Sequence, residues 1–236
     1  MATNENDTDQ RWYGRRTGKP LRASRKRLLE ELLPTIRLDP EPENIPTDLK
    51  ILFPNPVREV WLEIGFGGGE HLAEQAEKNP DVGIIGCEPF VNGVASLMKH
   101  IDANGVTNVR VYDNDVRHLL KLMAPACFER IFILFPDPWP KSRHHRRRIV
   151  KDKTIVEYAR LLKDGGELRF ASDHQGYVSW ALHFLLQNND LQWTARRPDD
   201  WRIAPPDWVE TRYEQKAKAK CDAPAYLRFG RKQRSI

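Results

Sequence analysis

The sequence predicts an α/β fold in which helices wrap a parallel, doubly wound sheet. Short apolar runs alternate with segments of helical periodicity from about residue 57 onwards, and five strand–helix units follow one another. A glycine-rich turn joins the first predicted strand to its helix, at the end of the strand where such sheets bind ligands. At 236 residues the chain can bury one sizeable core, so we expect one domain with flanking extensions.

The predicted elements follow the apolar runs and helical patterns in chain order. The strands of the five units are expected at residues 60–64, 82–87, 109–112, 131–135 and 167–171. The helices that follow them are expected at residues 69–78, 91–103, 115–123, 149–163 and 176–187. Two further strands, 191–195 and 225–229, are expected on either side of a loop rich in tryptophan and proline.

The chain divides into three segments by composition. Residues 1–37 are predicted to form a basic, flexible arm. Residues 38–56 form a proline-rich, acidic connector. The main domain is expected to occupy residues 57–236.

The arm has the charge pattern of a nucleic-acid-binding segment. The whole chain carries a formal charge of +5, and every charged residue from Arg11 to Arg27 is a cation. Trp12 and Tyr13 lie at the start of this run as aromatic platforms for bases. An arginine-rich organelle presequence is the alternative, but the three acids among the first ten residues disfavour it.

Apolar runs and cysteine spacing exclude several classes of protein. The longest apolar run, 131–135, is far too short to span a bilayer, so no membrane association is expected. Cys87, Cys127 and Cys221 stand far apart, which disfavours a disulfide framework and a zinc knuckle. We therefore expect a cytoplasmic protein without a metal site.

Acidic side chains follow the first three predicted strands. Glu63 precedes the glycines of the first turn, Glu88 ends the second strand, and Asp115 follows the third. An acid at this edge of a sheet can accept hydrogen bonds from a ribose diol. Three acids would repel a pyrophosphate, and Glu70 occupies the third glycine position of a dinucleotide fingerprint. The pattern favours an adenosyl ligand with a cationic group, although Asp115 could serve only as a helix N-cap.

The fourth predicted strand runs into a loop with prolines at positions 136, 138 and 140. Proline fixes its own φ and biases the preceding residue to extended geometry, so Asp137 and Trp139 are expected on a stiff, extended scaffold. Such a loop either pre-organises a site or merely ends a strand as a rigid turn. Trp139 could stack on a purine or act as a hydrophobic lid, and the sequence favours neither.

A dense run of positive charge follows this loop. Seven of the thirteen residues from Lys141 to Lys153 are cationic, and Asp152 is the single acid among them. A solvated face usually mixes both signs, so the run indicates a surface for a polyanion. His144 and His145 lack the ligand spacing of a metal site, which favours phosphate contact.

These motifs together resemble a known family. Three of them resemble the S-adenosylmethionine pocket of class I methyltransferases: Glu63-x-Gly65-x-Gly67-x-Gly69, Glu88 and Asp113-Asn-Asp115. Four more motifs resemble those of the bacterial tRNA (guanine-N7)-methyltransferases and follow one another in the same order as in that family. They are Phe135-Pro-Asp-Pro-Trp-Pro-Lys141, Arg143-His-His-Arg-Arg-Arg148, Ala171-Ser-Asp-His174 and Thr211-Arg-Tyr-Glu214. The resemblance runs from about residue 57 to 229.

The resemblance implies both a fold and an activity. The fold would be a Rossmann-like, doubly wound sheet of seven strands, mainly parallel with the last strand antiparallel. Residues 57–236 would be a methyltransferase domain that takes the methyl group of S-adenosylmethionine and places it on N7 of a guanine in the variable loop of tRNA, at tRNA position 46. The expected partner is tRNA, and a monomer and a homodimer are equally compatible with the sequence.

The resemblance also assigns residues to roles, with Asp137 as the catalytic residue. The expected cofactor site comprises Glu63, Gly65, Gly67, Gly69, Glu88, Asp115 and Asp137. The expected substrate contacts are Lys141, Asp173, Thr211, Arg212, Tyr213 and Glu214. The expected RNA contacts are Arg143, His144, His145, Arg146, Arg147 and Arg148. No metal ligand is implied.

The chemistry of guanine limits what Asp137 has to do. N7 has an in-plane lone pair and no proton to remove, so methyl transfer needs alignment more than base catalysis. Asp137 is better suited to clamp the guanine edge or the methionine ammonium and to offset the developing ring charge. The alternatives are an exocyclic-amine RNA methyltransferase, a non-catalytic RNA-binding module with a nucleoside pocket and, last, a nicotinamide dehydrogenase.

Overall fold

The computed structural model describes residues 13–211, 214–215 and 223–235, and a seven-stranded sheet forms its centre. The strands are β1 (Glu59–Ile64), β2 (Val82–Cys87), β3 (Val109–Tyr112), β4 (Phe128–Leu134), β5 (Leu162–Ser172), β6 (Leu191–Trp193) and β7 (Ala225–Arg231). The helices are α1 (Ala23–Glu31), α2 (Leu33–Ile36), α3 (Glu70–Lys78), α4 (Val91–Asn104), α5 (Val116–Leu120), α6 (Asp152–Leu161), α7 (Gln175–Gln187) and α8 (Asp199–Arg202). Every predicted strand and helix is present, with ends that differ by a few residues.

The order of the strands locates the ligand-binding edge. It is β3-β2-β1-β4-β5-β7-β6, with β1 to β5 parallel and β7 antiparallel to both of its neighbours. This confirms the predicted seven-stranded, mainly parallel sheet with an antiparallel last strand. The order reverses between β1 and β4, and sheets of this kind bind ligands beyond the carboxyl ends of the strands at such a reversal.

Two apolar clusters cover the two faces of the sheet. Neighbouring residues of β1 alternate between them: Leu62 packs with α5, α6 and α7, whereas Trp61 packs with α1 to α4. β4 does the same with Ile131 and Phe132. Strands buried on both faces in this way are typical of parallel sheets, and they explain the continuous apolar runs in the sequence.

Part of the basic arm packs on the sheet as helix. Leu28 of α1 and Leu33 and Ile36 of α2 are buried in the cluster that also contains α4. The sequence indicated a flexible arm over the whole of residues 1–37. The structure instead places residues 23–36 against the domain, because their apolar side chains complete this face while the cations point outward.

The connector also contributes to the core. Ile45, Leu49 and Phe53 are buried in the cluster on the face of the sheet that α5 to α7 cover. The hydrophobic core therefore includes residues that precede position 57.

The helix after β4 begins three residues later than predicted. Side chains hold the backbone before α6 out of the helix: Tyr177 Oη accepts from Val150 N at 3.3 Å, and Trp180 Nε1 donates to Val150 O at 2.7 Å. Thr154 Oγ1 donates to Ile149 O at 2.6 Å. Tyr177 and Trp180 belong to α7, which is distant in the sequence. The helical pattern around residue 149 therefore could not indicate these contacts.

The described helices are too short or too polar to span a membrane, and two of the cysteines are free. Within residues 13–211, 214–215 and 223–235, no helix is both long and apolar enough to cross a membrane. Cys87 and Cys127 are buried free thiols, and burial raises the pKa of each thiol far above its ordinary value. Both therefore act as core side chains.

Candidate functional site

A glycine loop between β1 and α3 forms the centre of the ligand-binding edge. Gly65, Gly67 and Gly69 all have positive φ, at 72°, 56° and 80°, which glycine adopts without strain. At Gly69 a Cβ would lie only 2.7 Å from Leu97 Cβ, so this position also allows α3 to approach α4. The loop presents bare backbone at the strand reversal, as a tightly held ligand requires.

Glu88 follows β2 and holds the glycine loop. Its Oε2 accepts from Gly67 N at 2.8 Å, and its Oε1 accepts from Phe90 N at 2.9 Å. Burial raises the pKa of Glu88 to about 7, the two backbone N–H groups oppose that rise, and the charges of Asp137 and Glu63 add to it. Glu88 is thus an oriented carboxylate that titrates near neutrality at the predicted cofactor site.

Glu63 lies under the same loop, paired with a histidine that the sequence analysis missed. The side chain of Glu63 is buried, and its Oε2 lies 2.7 Å from His71 Nδ1 on α3. The His71 ring contacts Phe132 edge-on, with 5.0 Å between the ring centroids. The sequence signal was limited to a spacing of eight residues across a strand, a loop and a helix. The Glu63–His71 pair therefore ties β1 to α3, the two elements that the glycine loop connects.

Asp115 caps a helix. Its Oδ1 accepts from Arg117 N at 3.0 Å as the N-cap of α5, and both carboxylate oxygens accept from Arg117 Nε. The side chain of Asp115 is buried. This is the N-cap alternative that the sequence left open, and the paired guanidinium offsets much of the negative charge expected here.

The proline loop after β4 is held in an unusual backbone conformation. Phe135 and Trp139 have φ values of 49° and 43°, although each precedes a proline. The prediction of extended geometry was therefore wrong for these two residues. A positive φ at a non-glycine residue costs on the order of 1–3 kcal/mol and persists where the surroundings impose it, often at functional sites.

Asp137 lies between these two strained residues. Its side chain keeps access to solvent, and partial desolvation by the surrounding loops raises its pKa above the ordinary value. Its charge also raises the pKa of Glu88. Asp137 follows β4, which pairs in parallel with β1, so Asp137 and the glycine loop extend from neighbouring strand ends. The structure thus brings Asp137, Glu88 and the glycine loop together at the strand reversal.

The cationic run after the proline loop divides into exposed and buried residues. It forms a 3-10 helix, Ser142–Arg147. Lys141, Arg143 and Arg146 are exposed, as an RNA surface requires. Arg148, also a predicted RNA contact, is buried instead: it is 2% exposed, its Nε donates to Pro138 O at 2.9 Å, and its guanidinium lies over Tyr177 and Trp180.

The two histidines of the run pack against aromatic rings. His144 lies edge-on to Trp139, with 5.9 Å between ring centroids, and His145 lies edge-on to Trp180 at 5.1 Å. Partial desolvation, followed by the neighbouring arginines, lowers the pKa of His144. A neutral imidazole is a weaker phosphate ligand than a cation, so the arginines carry the charge of this surface.

Arg147 joins this run to the arm. Its guanidinium carbon lies 4.6 Å from the ring centroid of Tyr13 and 4.8 Å from that of Trp139. Its Nε is buried and has no hydrogen-bond partner within the described part of the chain. Trp12, the other aromatic platform predicted in the arm, lies outside the described residues.

The arm then crosses the carboxyl edge of the sheet. Arg16 O accepts from Val91 N at 2.9 Å, and Arg16 Nη2 donates to Asn114 Oδ1 at 2.7 Å. Two residues later, Gly18 N donates to Asn92 Oδ1 at 2.7 Å. Residues 13–18 therefore run from the proline loop to the ends of β2 and β3, above the predicted cofactor site.

The remaining predicted substrate contacts have different surroundings. Asp173 is half-buried at the end of β5. Thr211 is buried, and its Oγ1 accepts from Glu214 N at 3.1 Å. Glu214 is fully buried, with Trp208 Nε1 and Tyr226 Oη each donating to its carboxylate at 2.6 Å. Arg212 and Tyr213 lie outside the described residues.

An ion-pair cluster anchors the segment that carries Glu214. Asp207 accepts two hydrogen bonds of 2.9 Å from Arg169 and one of 2.9 Å from Arg130. Gln75 Nε2 donates to Asp207 O at 3.0 Å, and the same Nε2 lies 3.5 Å from His71 Nε2. The segment is thus tied to β4, to β5 and to the helix that follows the glycine loop.

The described side chains at this edge of the sheet do not form a metal site. Across residues 13–211, 214–215 and 223–235, no group of three or more His, Cys, Asp or Glu side chains is placed to hold a metal ion. The arrangement at the strand reversal is instead one of carboxylates, bare backbone and adjacent cations. It suits a ligand with hydroxyl and cationic groups next to a polyanion.

The known sequences that this chain resembles are methyltransferases. A family model described as "Putative methyltransferase" matches residues 57–224. The chain is 52% identical over 229 residues to the tRNA (guanine-N(7)-)-methyltransferase of Rhodospirillum rubrum, covering 96% of this chain and 90% of that protein. It is 46% identical over 220 residues to the enzyme of the same name from Rhizobium meliloti, covering 93% of this chain and 94% of that protein.

Solved structures with low sequence identity share the fold. The 16S rRNA methyltransferase KamB aligns with a TM-score of 0.54 at 14% identity, covering 75% of this chain and 89% of that one. The antibiotic-resistance methyltransferase Kmr aligns with a TM-score of 0.53 at 16% identity, covering 76% and 89%. At this identity the likeness concerns the architecture alone, and it agrees with the predicted class I methyltransferase fold.

Proposed function

Because the chain belongs to the family of the tRNA (guanine-N(7)-)-methyltransferases, we propose that it transfers the methyl group of S-adenosylmethionine to N7 of a guanine in the variable loop of tRNA. The main support is similarity over nearly the whole chain, 52% identity across 96% of its length. The geometry agrees, because Glu88, the glycine loop and Asp137 meet at one edge beside exposed arginines. The exocyclic-amine and non-catalytic alternatives gain no comparable support.

The cofactor site is proposed at the glycine loop. When bound, S-adenosylmethionine supplies an electrophilic methyl group on a sulfonium sulfur. The bare backbone of Gly65 to Gly69 allows close approach, and the Glu88 carboxylate can accept hydrogen bonds from ribose hydroxyls. Glu63 is proposed to act indirectly, by holding His71 at the start of the helix that follows the glycine loop.

Asp137 is proposed to hold the guanine. The N7 lone pair attacks the methyl carbon, and no proton has to leave the ring, so the enzyme must chiefly align the two reactants. A carboxylate at this position can accept a hydrogen bond from an N–H group at the guanine edge. It also offsets the positive charge that the ring gains during transfer.

The RNA surface is proposed to begin beside this site. Lys141, Arg143 and Arg146 are exposed next to the proline loop, where they can contact phosphates on either side of the target nucleotide. Their charge orients the tRNA without reading its sequence. Arg148 supports the loop from inside by donating to Pro138 O.

The direct test is to identify the product nucleoside. Unmodified tRNA is incubated with the protein and S-adenosylmethionine, digested to nucleosides and analysed by mass spectrometry against 7-methylguanosine and N2-methylguanosine standards. We expect 7-methylguanosine alone, at a single position in the variable loop, and none from a tRNA that carries adenosine there. A methyl group on an exocyclic amine, or no methylated base, would refute the proposal.

A further inference from the structure

Arg147 shows how the protein accommodates a planar cation. Its guanidinium lies over two aromatic rings, 4.6 Å from the ring centroid of Tyr13 and 4.8 Å from that of Trp139. Contacts of a flat, positively charged group with aromatic faces are stabilised by the ring quadrupole and by dispersion. The two rings come from distant parts of the chain and converge on one group.

The position of Arg147 is poorly satisfied in other respects. Its Nε is buried without a hydrogen-bond partner among the described residues, and a buried donor of this kind normally costs free energy. Trp139 holds its ring in place through a backbone with φ of 43°, between two prolines. The strained, rigid element is therefore the backbone that carries the Trp139 ring, and the replaceable element is the long side chain of Arg147.

The two rings also lie beside the reacting groups. Trp139 is two residues from Asp137 in the loop after β4, and β4 pairs in parallel with β1, which leads into the glycine loop. Three peptide units separate Tyr13 from Arg16, a distance of about 10 Å at most. Arg16 is hydrogen-bonded to Asn114, beyond the end of β3. A flat group between the rings would therefore lie at the edge where methyl transfer is proposed.

We propose that Tyr13 and Trp139 form an aromatic cage for the target guanine, and that the Arg147 guanidinium occupies the place of the base in this structure. The inference rests on the proposed function, and it assigns to the arm a role in base binding. The base would enter between the rings as Arg147 swings out to a phosphate of the same RNA. The guanidinium keeps a favourable partner in this exchange, because the phosphate replaces the aromatic faces.

A cage of this kind favours the product side of the reaction. As the N7–methyl bond forms, the sulfur–methyl bond breaks and its electron pair stays on sulfur, so the positive charge moves from sulfur to the guanine ring. Aromatic faces attract the charged ring more strongly than the neutral one. An interaction that strengthens along the reaction lowers the barrier, in addition to binding the substrate.

The test compares ring removal with ring conservation. Tyr13→Leu and Trp139→Leu should each lower kcat/KM for tRNA about 10- to 100-fold, because each variant loses the stacking of one ring on the base. Tyr13→Phe and Trp139→Phe should keep most of the activity. Trp201→Leu is the matched control, because it removes an aromatic ring that contacts Arg202 at 4.8 Å outside the proposed site. It should leave kcat/KM within about twofold of wild type.

A second measurement separates base binding from a structural role of the rings. Dissociation constants are measured with S-adenosylhomocysteine present for tRNA before and after enzymatic methylation. Wild type and Tyr13→Phe should bind the methylated tRNA more tightly, whereas Tyr13→Leu should lose that preference. The cage proposal is wrong if wild type and Tyr13→Leu show the same preference for methylated tRNA, or if Tyr13→Leu keeps the wild-type kcat/KM. If wild type forms no 7-methylguanosine, the proposed function itself fails, which is a distinct result.

Discussion

At the scale of single residues, Glu88 has two roles that oppose each other. It orients the glycine loop as a hydrogen-bonded carboxylate, yet burial raises its pKa from the ordinary 4.5 to about 7. The folded protein therefore binds a proton at this group more tightly than the unfolded chain does. The contribution of Glu88 to the free energy of unfolding is full below pH 4.5 and is lost as the pH rises through 7.

We predict opposite pH trends for stability and for cofactor affinity. Between about pH 4.5 and 7 the free energy of unfolding should lose up to about 3 kcal/mol through Glu88, at 1.36 kcal/mol per pKa unit. The affinity for S-adenosylmethionine should rise across about pH 6 to 8, because the ionised carboxylate accepts the ribose hydroxyls. Urea unfolding and titration calorimetry measure the two trends.

The Glu88→Gln variant is the control for both trends. It has nearly the same shape and no titrating group, so the pH dependence that separates it from wild type belongs to Glu88. The difference in unfolding free energy, wild type minus variant, should fall with rising pH. A difference that rises instead, or an affinity with the same pH profile in both proteins, would remove Glu88 from this role.

Asp137 gives a prediction about turnover. Asp137→Asn keeps the shape and removes the charge, so kcat should fall on the order of 10²- to 10³-fold while KM for tRNA changes little. Asp152→Asn, which neutralises the one acid in the cationic run, should keep the wild-type kcat. Asp137→Asn should also lower the pKa of Glu88, because the Asp137 charge helps to raise it. Wild-type turnover in Asp137→Asn would contradict the assignment.

The residues of the site differ in how far the sequence could predict them. Glu88, Asp137 and the glycines follow strand ends, and parallel strands bring those ends together in any sheet of this class. The pairing of Glu63 with His71, the capping by Asp115 and the burial of Arg148 depend on how helices pack on the sheet. A residue pattern does not specify such contacts, so nothing in the sequence indicated that Arg148 is buried.

At the scale of elements, residues 203–211 and 214–215 are anchored to the sheet rather than free of it. Arg169 and Arg130 hold Asp207, while Trp208 and Tyr226 hold Glu214. Both anchor points lie on the face of the sheet that also carries His71. The two anchors can therefore hold Thr211, whose Oγ1 accepts from Glu214 N, at a fixed position.

Glu214 tests whether this anchoring is structural. Glu214→Gln keeps an acceptor for one of the two donors and faces the other with an amide N–H, so the free energy of unfolding should fall by about 1–3 kcal/mol. Glu210→Gln, an exposed neighbour in the same segment, should stay within about 0.5 kcal/mol of wild type. Urea unfolding measures the free energy of unfolding of both variants. Unchanged stability together with weaker tRNA binding would instead support the direct substrate contact that the resemblance implies.

Elements were more predictable than their ends. The strands from Val82 to Cys87 and from Val109 to Tyr112 have the bounds that their apolar runs predict. β5 begins five residues early, because Leu162 pairs with Phe128 before the register shifts. Only a partner strand creates such an extension. Similarly, the arm forms helices because Leu28 and Leu33 find an apolar face, which the excess of cations in its sequence conceals.

At the scale of the whole molecule, the cations near the site divide between support and binding. Arg148 is enclosed by the proline loop and α7, and Arg147 lies between the arm and that loop. Arg143 and Arg146 are exposed on the same 3-10 helix. A polyanion approaching this edge would therefore meet these two arginines first, and long-range attraction to them would orient it.

This division predicts different salt dependences for two sets of variants. Binding to phosphates releases counterions, so the double variant Arg143→Gln/Arg146→Gln should flatten the plot of log K for tRNA against log salt by about 0.7 to 0.9 per lost contact. Its unfolding free energy should stay near wild type, because both side chains are exposed. Arg148→Gln is the matched control in the same run: the salt slope should persist, and stability should fall as Pro138 O loses its donor. Fluorescence titrations at four salt concentrations give the slopes, and urea unfolding gives the stabilities. An unchanged slope in the double variant would make the run a solvated face, and a flattened slope in a stable Arg148→Gln would return Arg148 to the RNA surface.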